Sequence, residues 1–301
     1  MSFSDKMLIE MREFDYFEPK TIDEAVSILE KYQENAKILA GGTDLIVAMQ
    51  NKKINPKCLV NLKSVQGLNY ILYDEKHGLK IGALTTLREI EKSEKIKKWH
   101  HILHQVAQKM ASPSVRNLAT IGGNLCNASP AADMAPPLIC LSAKVKIVGP
   151  KGGKLIDLEN FFTGPGTTIL RSDEILLEIQ VPPIPPRTAA VYLRHGKRGA
   201  AEVAIVGVGV VMSLESSGKC QLARIAIGSA APTPLRIKEA EEMLIGKVID
   251  EKLIDQVAQV VSEASRPISD VHSSAQYRRE MVKLFTKRAL KSALIQLKVG
   301  G

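Results

Sequence analysis

The sequence predicts an α+β protein in two domains, and three observations carry that expectation. The N-terminal stretch alternates short apolar runs with capped helical patterns. Four prolines, Pro182, Pro183, Pro185 and Pro186, then fall within five residues. Beyond them the pattern changes to closely spaced strand-like runs and a helical tail. Proline removes a backbone donor and fixes φ, so no helix or central strand passes through that point. The expected boundaries are 1–181 for the first domain, in lobes of about 1–62 and 63–181, and 182–301 for the second.

The first lobe opens on a strand at 13–17. Thr21 and Glu24 stand as N-cap and N3 of a capping box, and Ile22, Ala25, Val26 and Leu29 follow at helical spacing. A short strand at 37–40 runs into Gly41 and Gly42, and a third strand fits 57–62. In the second lobe, strands at 70–73 and 79–82 pair around His77 and Gly78. Thr86 and Glu89 form a second capping box. Ile102, Val106 and Met110 mark a longer helix that stops near Ser112 and Pro113. A loop at 120–124, a short helix at 133–141 and strands at 144–148 and 175–181 complete this domain. The second domain is expected to hold a three-stranded antiparallel sheet at 191–193, 203–214 and 221–229, with a hairpin turn at 216–219. A helical tail runs from residue 235.

Composition narrows the function. The chain has 301 residues, 45% of them apolar and 24% charged, enough for a large core and against global disorder. Aromatics make up 4%, too few for a base-stacking platform. The net charge of +9 is spread along the chain without a recognition motif. It suits an acidic partner or an anionic cofactor, not nucleic acid. Cys58, Cys126, Cys140 and Cys220 form no C-x-x-C pair, so local spacing encodes neither zinc nor an iron–sulfur cluster. So sparse a set points to reduced thiols and the cytoplasm. The first 14 residues carry charges where a signal peptide would be apolar, and the longest apolar run, 203–214, is too short to span a bilayer as a helix.

Two glycine doublets are the informative features: Gly41 and Gly42 after one apolar run, Gly122 and Gly123 in another junction. Glycine lets a ligand approach the main chain, and successive N–H groups can converge on an anion. Thr43, Thr120 and Asn124 add short polar side chains. This chemistry suits a pyrophosphate held by neutral donors. Either doublet alone is equally served by a tight turn; the pair is more specific. Asp44, a carboxylate in such a loop, is assigned to capping the next helix or to accepting from a ribose hydroxyl. Gly207 and Gly209 lack the third glycine of a dinucleotide fingerprint and read as core-strand glycines.

The motifs Ala-Gly-Gly-Thr-Asp-Leu at 40–45 and Ala-Thr-Ile-Gly-Gly-Asn at 119–124, with Ala-Ser-Pro-Ala-Ala-Asp-Met at 128–134, resemble one family. It is the FAD-binding medium subunit of the xanthine dehydrogenase and aerobic carbon monoxide dehydrogenase group, the molybdenum hydroxylases. The likeness continues through 14–19, 112–117, 173–177, 192–198, 228–236 and 277–279. It implies a two-lobed FAD-binding domain of the vanillyl-alcohol-oxidase type, followed by a smaller α+β domain. The implied FAD is non-covalent, since neither glycine loop holds a histidine or cysteine. Its pyrophosphate would be gripped by Leu39, Ala40, Gly41, Gly42, Thr43, Asp44 and Leu45 from one lobe, and by Ala119, Thr120, Gly122, Gly123 and Asn124 from the other. By matching position, Asp133 would contact the ribose or nearby polar atoms and Leu176 would pack on the cofactor. Arg194 would stand near the flavin where relatives often have lysine, and Met110 takes a place where some have phenylalanine.

The resemblance also implies a role. Electrons would pass from 2Fe–2S clusters on a small partner, through FAD, to an acceptor such as NAD or a quinone. The molybdenum cofactor would sit on a large partner. No catalytic or metal-ligating residue is expected in this chain. Two other readings remain open on sequence: a free-standing FAD-dependent reductase of the same fold superfamily, and a non-catalytic assembly module.

Three further groups have ordinary explanations. His100, His101 and His104 lie on a helix, with His100 and His104 at i, i+4 but no third ligand in sight, and are assigned to a solvated face. Cys126, two residues past Asn124, reads as a small buried residue. The basic run at 277–288 reads as a solvated helix face, with partner docking as the alternative.

Overall fold

The computed structural model describes residues 13–197 and 202–299. The N-terminal charged stretch, apart from its last two residues, and Arg198 of the 192–198 motif lie outside the described residues. The first lobe contains β1 (Asp15–Phe17), α1 (Ile22–Tyr32), β2 (Ala36–Leu39), α2 (Leu45–Gln50) and β3 (Cys58–Asn61), with the strands in the parallel order β1-β3-β2. Thr21 Oγ1 accepts from the Glu24 N–H, while Glu24 Oε2 accepts from Lys20 N, so this capping box closes one residue upstream. The cap aims Ala25, Val26 and Leu29 at Cys58 and Val60 in the lobe's core.

The second lobe contains β4 (Ile71–Asp74), β5 (Gly78–Gly82), α3 (Leu87–Lys92), α4 (Glu94–Trp99), α5 (His101–Lys109), α6 (Pro113–Arg116), α7 (Ile121–Cys126) and α8 (Ala135–Cys140). It continues with β6 (Lys144–Gly149), β7 (Gly152–Asp157), β8 (Phe162–Gly164), β9 (Thr167–Thr168) and β10 (Ile175–Val181). Five strands form an antiparallel sheet in the order β4-β5-β10-β6-β7. At Thr86 the capping box is complete in both directions. A bulge between Leu176 and Glu178 lets β10 serve both lobes. Ile175 and Leu177 pack on the first core, Leu176 and Ile179 on the second.

Two expectations for this lobe need correction. The segment 120–124 is not a loop. Thr120 is the N-cap of α7, its Oγ1 accepting from Gly123 N at 3.0 Å, and both glycines lie in the first helical turn. Of the three histidines, only His101 is on a solvated face. His100 is 1% exposed and His104 9%, because the helix breaks at His100 and turns that ring inward beside Tyr73.

Neither His100 ring nitrogen reaches hydrogen-bond geometry with a described residue. Burial pushes its pKa down to about 4, the nearby Pro182 carbonyl opposing only in part. A folded-state value below the unfolded one means that stability is full above the unfolded value of 6.5 and falls as pH drops toward about 4. His100→Leu should remove that slope. Urea unfolding at pH 7 and pH 4.5 should show wild type losing about 2 kcal/mol more than the variant. Parallel losses would show that His100 does not titrate on unfolding.

The C-terminal part contains β11 (Thr188–His195), β12 (Val206–Leu214), β13 (Cys220–Gly228), β14 (Leu235–Arg236), α9 (Lys238–Glu242), α10 (Glu251–Ala264) and α11 (Ala275–Val299). Its antiparallel sheet has four strands, not three. The fourth is a two-residue strand pairing with Ala226 and Ile227, too short to leave a periodic signal. Both faces of β12 are buried. Val206, Val208, Val210 and Met212 face the helices, whereas Val211 joins the second lobe's core. A Cβ on Gly209 would lie 3.1 Å from Cys140 Sγ, and one on Gly207 would overlap the Tyr192 hydroxyl. These core-strand glycines therefore give α8 and Tyr192 their places. The basic run on α11 is not uniformly solvated. Arg278 is buried and donates to the Ile205 and Ser229 carbonyls and to Asp270. Lys287 pairs with Asp255 and Lys291 with Glu251 on α10.

Candidate functional site

A cleft of about 590 Å³ runs between the two lobes of the first domain, within the size range of ligand sites. Both glycine motifs reach it, and they do so differently. In the first, Gly42 adopts φ +76°, a left-handed conformation that turns the chain from β2 into α2. Among the described residues, no protein acceptor meets the N–H groups of Gly42, Thr43, Asp44 and Leu45. Asp44 occupies the N-cap position of α2 but makes no side-chain cap bond; its carboxylate accepts from Thr43 Oγ1 at 3.5 Å. The helix start is therefore left with free donors, and the expected capping by Asp44 is not made.

In the second motif the donors are spent on the scaffold. Ile121 N donates to Thr85 O and Gly122 N to Ala83 O, both at 2.9 Å. Gly123 N is capped by Thr120 and Asn124 N bonds the Thr120 carbonyl. What this motif offers the cleft is side chains and space: the Thr120 hydroxyl, the Asn124 carboxamide and the bare Cα of Gly123. Asn124 Oδ1 is a buried oxygen without a partner among the described residues. Such an atom is costly unless a ligand or water satisfies it.

The motifs touch through glycine. A Cβ on Gly41 would overlap the Leu118 carbonyl oxygen, and one on Gly122 would lie 2.6 Å from Ala83 O. Behind them Arg116, 7% exposed, ties the turn together by donating to the Met110 and Ala111 carbonyls and to Glu91.

Ala40, Gly41, Gly42, Thr43, Asp44, Leu45, Ala119, Thr120, Gly122, Gly123, Asn124 and Leu176 all line the cleft. Leu39, Met110, Asp133 and Arg194 do not stand among its lining residues. Leu39 ends β2, its Cδ1 3.1 Å from where a Gly42 Cβ would be. Met110 is in the second lobe's core. Asp133 accepts from the Tyr192 hydroxyl at 2.7 Å and pairs with Arg194 at 3.4 Å, at the junction with the C-terminal sheet. Burial raises the Asp133 carboxyl, with Arg194 and Tyr192 opposing.

Sequence reasoning passed over one whole wall. Gly166, Thr167, Thr168, Leu170, Arg171 and Ser172 line the cleft from the segment before β10. Its Gly164-Pro-Gly-Thr-Thr168 run is a polar turn signal that could have drawn attention. The apolar wall of Ile38, Ala48, Ile54 and Leu62 was likewise unassigned. Cys126 also lines the cleft, but burial pushes its thiol up to about 12, so it stays protonated.

Free N–H groups, an unpartnered carboxamide oxygen and apolar walls fit a cofactor with phosphates, hydroxyls and a flat ring. Comparison with known proteins agrees. Residues 12–184 match the FAD binding domain in molybdopterin dehydrogenase, and residues 191–293 the CO dehydrogenase flavoprotein C-terminal domain. The carbon monoxide dehydrogenase medium chain of Afipia carboxidovorans is 32% identical over 95% of this chain and 98% of its own. The nicotinate dehydrogenase FAD-subunit of Eubacterium barkeri is 30% identical over 96% and 99%. A solved carbon monoxide dehydrogenase from Hydrogenophaga pseudoflava superposes with a TM-score of 0.92 at 31% identity, covering 95% of this chain and 99% of that one. The chain belongs to the FAD-binding medium subunits of the molybdenum hydroxylases, the oxidoreductase family of the carbon monoxide and xanthine dehydrogenases.

Proposed function

We propose that this subunit takes electrons from 2Fe–2S clusters on a small partner and delivers them to a soluble acceptor of the NAD or quinone type. The substrate and molybdenum belong to a large partner. FAD bound in the cleft would supply the chemistry, accepting electrons singly and releasing them in pairs. The observation that carries the cofactor assignment is the run of N–H groups without a protein acceptor from Gly42 to Leu45, residues that line the cleft. These groups would hold phosphate oxygens, with Thr43 and Thr120 adding hydroxyl donors. Asn124 would engage a hydroxyl or ring N–H through its free oxygen, and Leu176 would pack against the ring. Leu39, Met110, Asp133 and Arg194 would support this shell through the packing behind it. A cytoplasmic setting is part of the reading, and the four free thiols suit it. No helix among the described residues is long and apolar enough to cross a membrane.

The test is chemical. Acid precipitation of the purified chain should release FAD into the supernatant, and the chain alone should carry no iron. Flavin left in the pellet would mean a covalent link, and FMN or no flavin at all would overturn the assignment.

A further inference from the structure

The wall that sequence reasoning missed is held very unevenly at its two sides. It is a strap, 166–174, that includes β9 and runs into β10. Its root is Glu174, 5% exposed, which accepts from Lys154 Nζ at 2.7 Å and from Arg171 N at 3.0 Å. Along the strap, Gly166 N bonds Ala128 O, Ile169 N bonds Phe161 O and Leu170 N bonds Thr168 Oγ1. All of these run to the second lobe or to the strap itself. Among the described residues, one hydrogen bond joins the strap to the first lobe. Ser172 Oγ donates to Gln33 Oε1 at 2.8 Å.

That arrangement is suited to opening. Gly166, at φ +72°, makes the turn of the β8–β9 hairpin, and Ile169 N is tied to Phe161 O, so the part of the strap free to move is 170–173. Gln33 follows α1 at φ +49°, a conformation a non-glycine residue adopts only under constraint. Its Nε2 donates to Glu30 O at 2.7 Å, which leaves Oε1 turned to Ser172. A lone surface hydrogen bond is worth about 1 kcal/mol net, far less than the buried charged root.

We propose that Gln33 and Ser172 form a latch that sets how fast the cofactor enters and leaves the cleft. The proposal rests on the reading of that cleft as the FAD site. With the bond made, strap and first lobe close one edge of the cleft; with it broken, residues 170–173 swing out between Ile169, tied to Phe161 O, and Glu174, which both stay fixed. The latch residues act on passage, not on the bound cofactor. Loss of the bond therefore speeds entry and release alike, and at Gln33, which does not line the cleft, it leaves the equilibrium affinity unchanged.

The experiment loads the full-length chain with FAD, chases with excess unlabelled cofactor and collects free FAD by rapid filtration. Uptake by the flavin-free chain is measured in the same way. Ser172→Ala removes the donor. Gln33→Gly removes the acceptor and relaxes the backbone, so its effect is not a loss of folding. Each variant should release and take up FAD roughly three- to tenfold faster, with Kd unchanged in Gln33→Gly, at a residue that does not line the cleft, and the double variant no faster than either single one. Unchanged rates in both variants would overturn the latch. A raised Kd with unchanged uptake would make Ser172 a cofactor contact instead. A wild-type chain that binds no FAD would overturn the flavin reading itself, and the latch with it.

Discussion

Alanine at Gly41 is expected to leave the chain without flavin and with its two lobes no longer properly docked. The added Cβ would meet the Leu118 carbonyl oxygen and lie 3.0 Å from Ala119 Cα. All of these are main-chain atoms, so no rotamer change can make room. The loops must part, and the cleft between them opens. Overpacking in a core costs about 1–3 kcal/mol when side chains can shift, and a backbone overlap costs more. Gly123→Ala is the contrasting case. Its Cβ would lie 2.9 Å from Thr120 Oγ1, a hydroxyl that can rotate away at the cost of a cap, about 1 kcal/mol. Flavin-to-protein ratio and thermal unfolding, measured together, separate the two variants. Gly41→Ala should lose nearly all flavin and unfold earlier, while Gly123→Ala keeps its fold and most of its flavin. Full loading in Gly41→Ala would show that the lobes are not joined through these loops.

That contrast marks what the sequence could and could not convey. The doublets were legible because glycine beside small polar residues is a local pattern. Which glycine packs and which faces the ligand was not, because Leu118 and Ala83 become neighbours only through the fold. Thr120 read as part of a loop because two glycines weaken helix propensity, whereas its hydroxyl and the Thr85 and Ala83 carbonyls secure the first turn of α7. His100 read as solvated because i, i+4 spacing tells nothing of the break that turns its ring inward. β7 has exposed residues along most of its length and so lacks the alternation that marks a half-buried strand. The capped helices and the main strands were legible for the opposite reason: each depends on residues within a few positions of one another.

The second large effect concerns the division of labour. The isolated subunit, loaded with FAD, should not be bleached by any substrate of the complex, while dithionite should bleach it directly. The ground is what lines the cleft. Glu174 is committed to Lys154, and Arg171 to Asp173 and Glu174. The Cys126 thiol stays protonated. Among the described residues, the Asp44 side chain hydrogen-bonds only the Thr43 hydroxyl. None of these makes a base poised to take a proton from a substrate. Among the described residues, no three His, Cys, Asp or Glu side chains converge to hold a metal. On the proposed division of labour this chain binds and presents FAD, and electrons reach it through another subunit. Anaerobic spectroscopy of the flavin band, with substrate added before and after the small and large subunits, reads the outcome. Bleaching should begin only when both partners are present and should require the iron–sulfur subunit even when the molybdenum subunit is in excess. Bleaching of the lone subunit by substrate would make it a self-sufficient reductase. The proton-handling group would then have to be sought among Glu34, Lys37 and Asp44 at the first lobe's edge of the cleft.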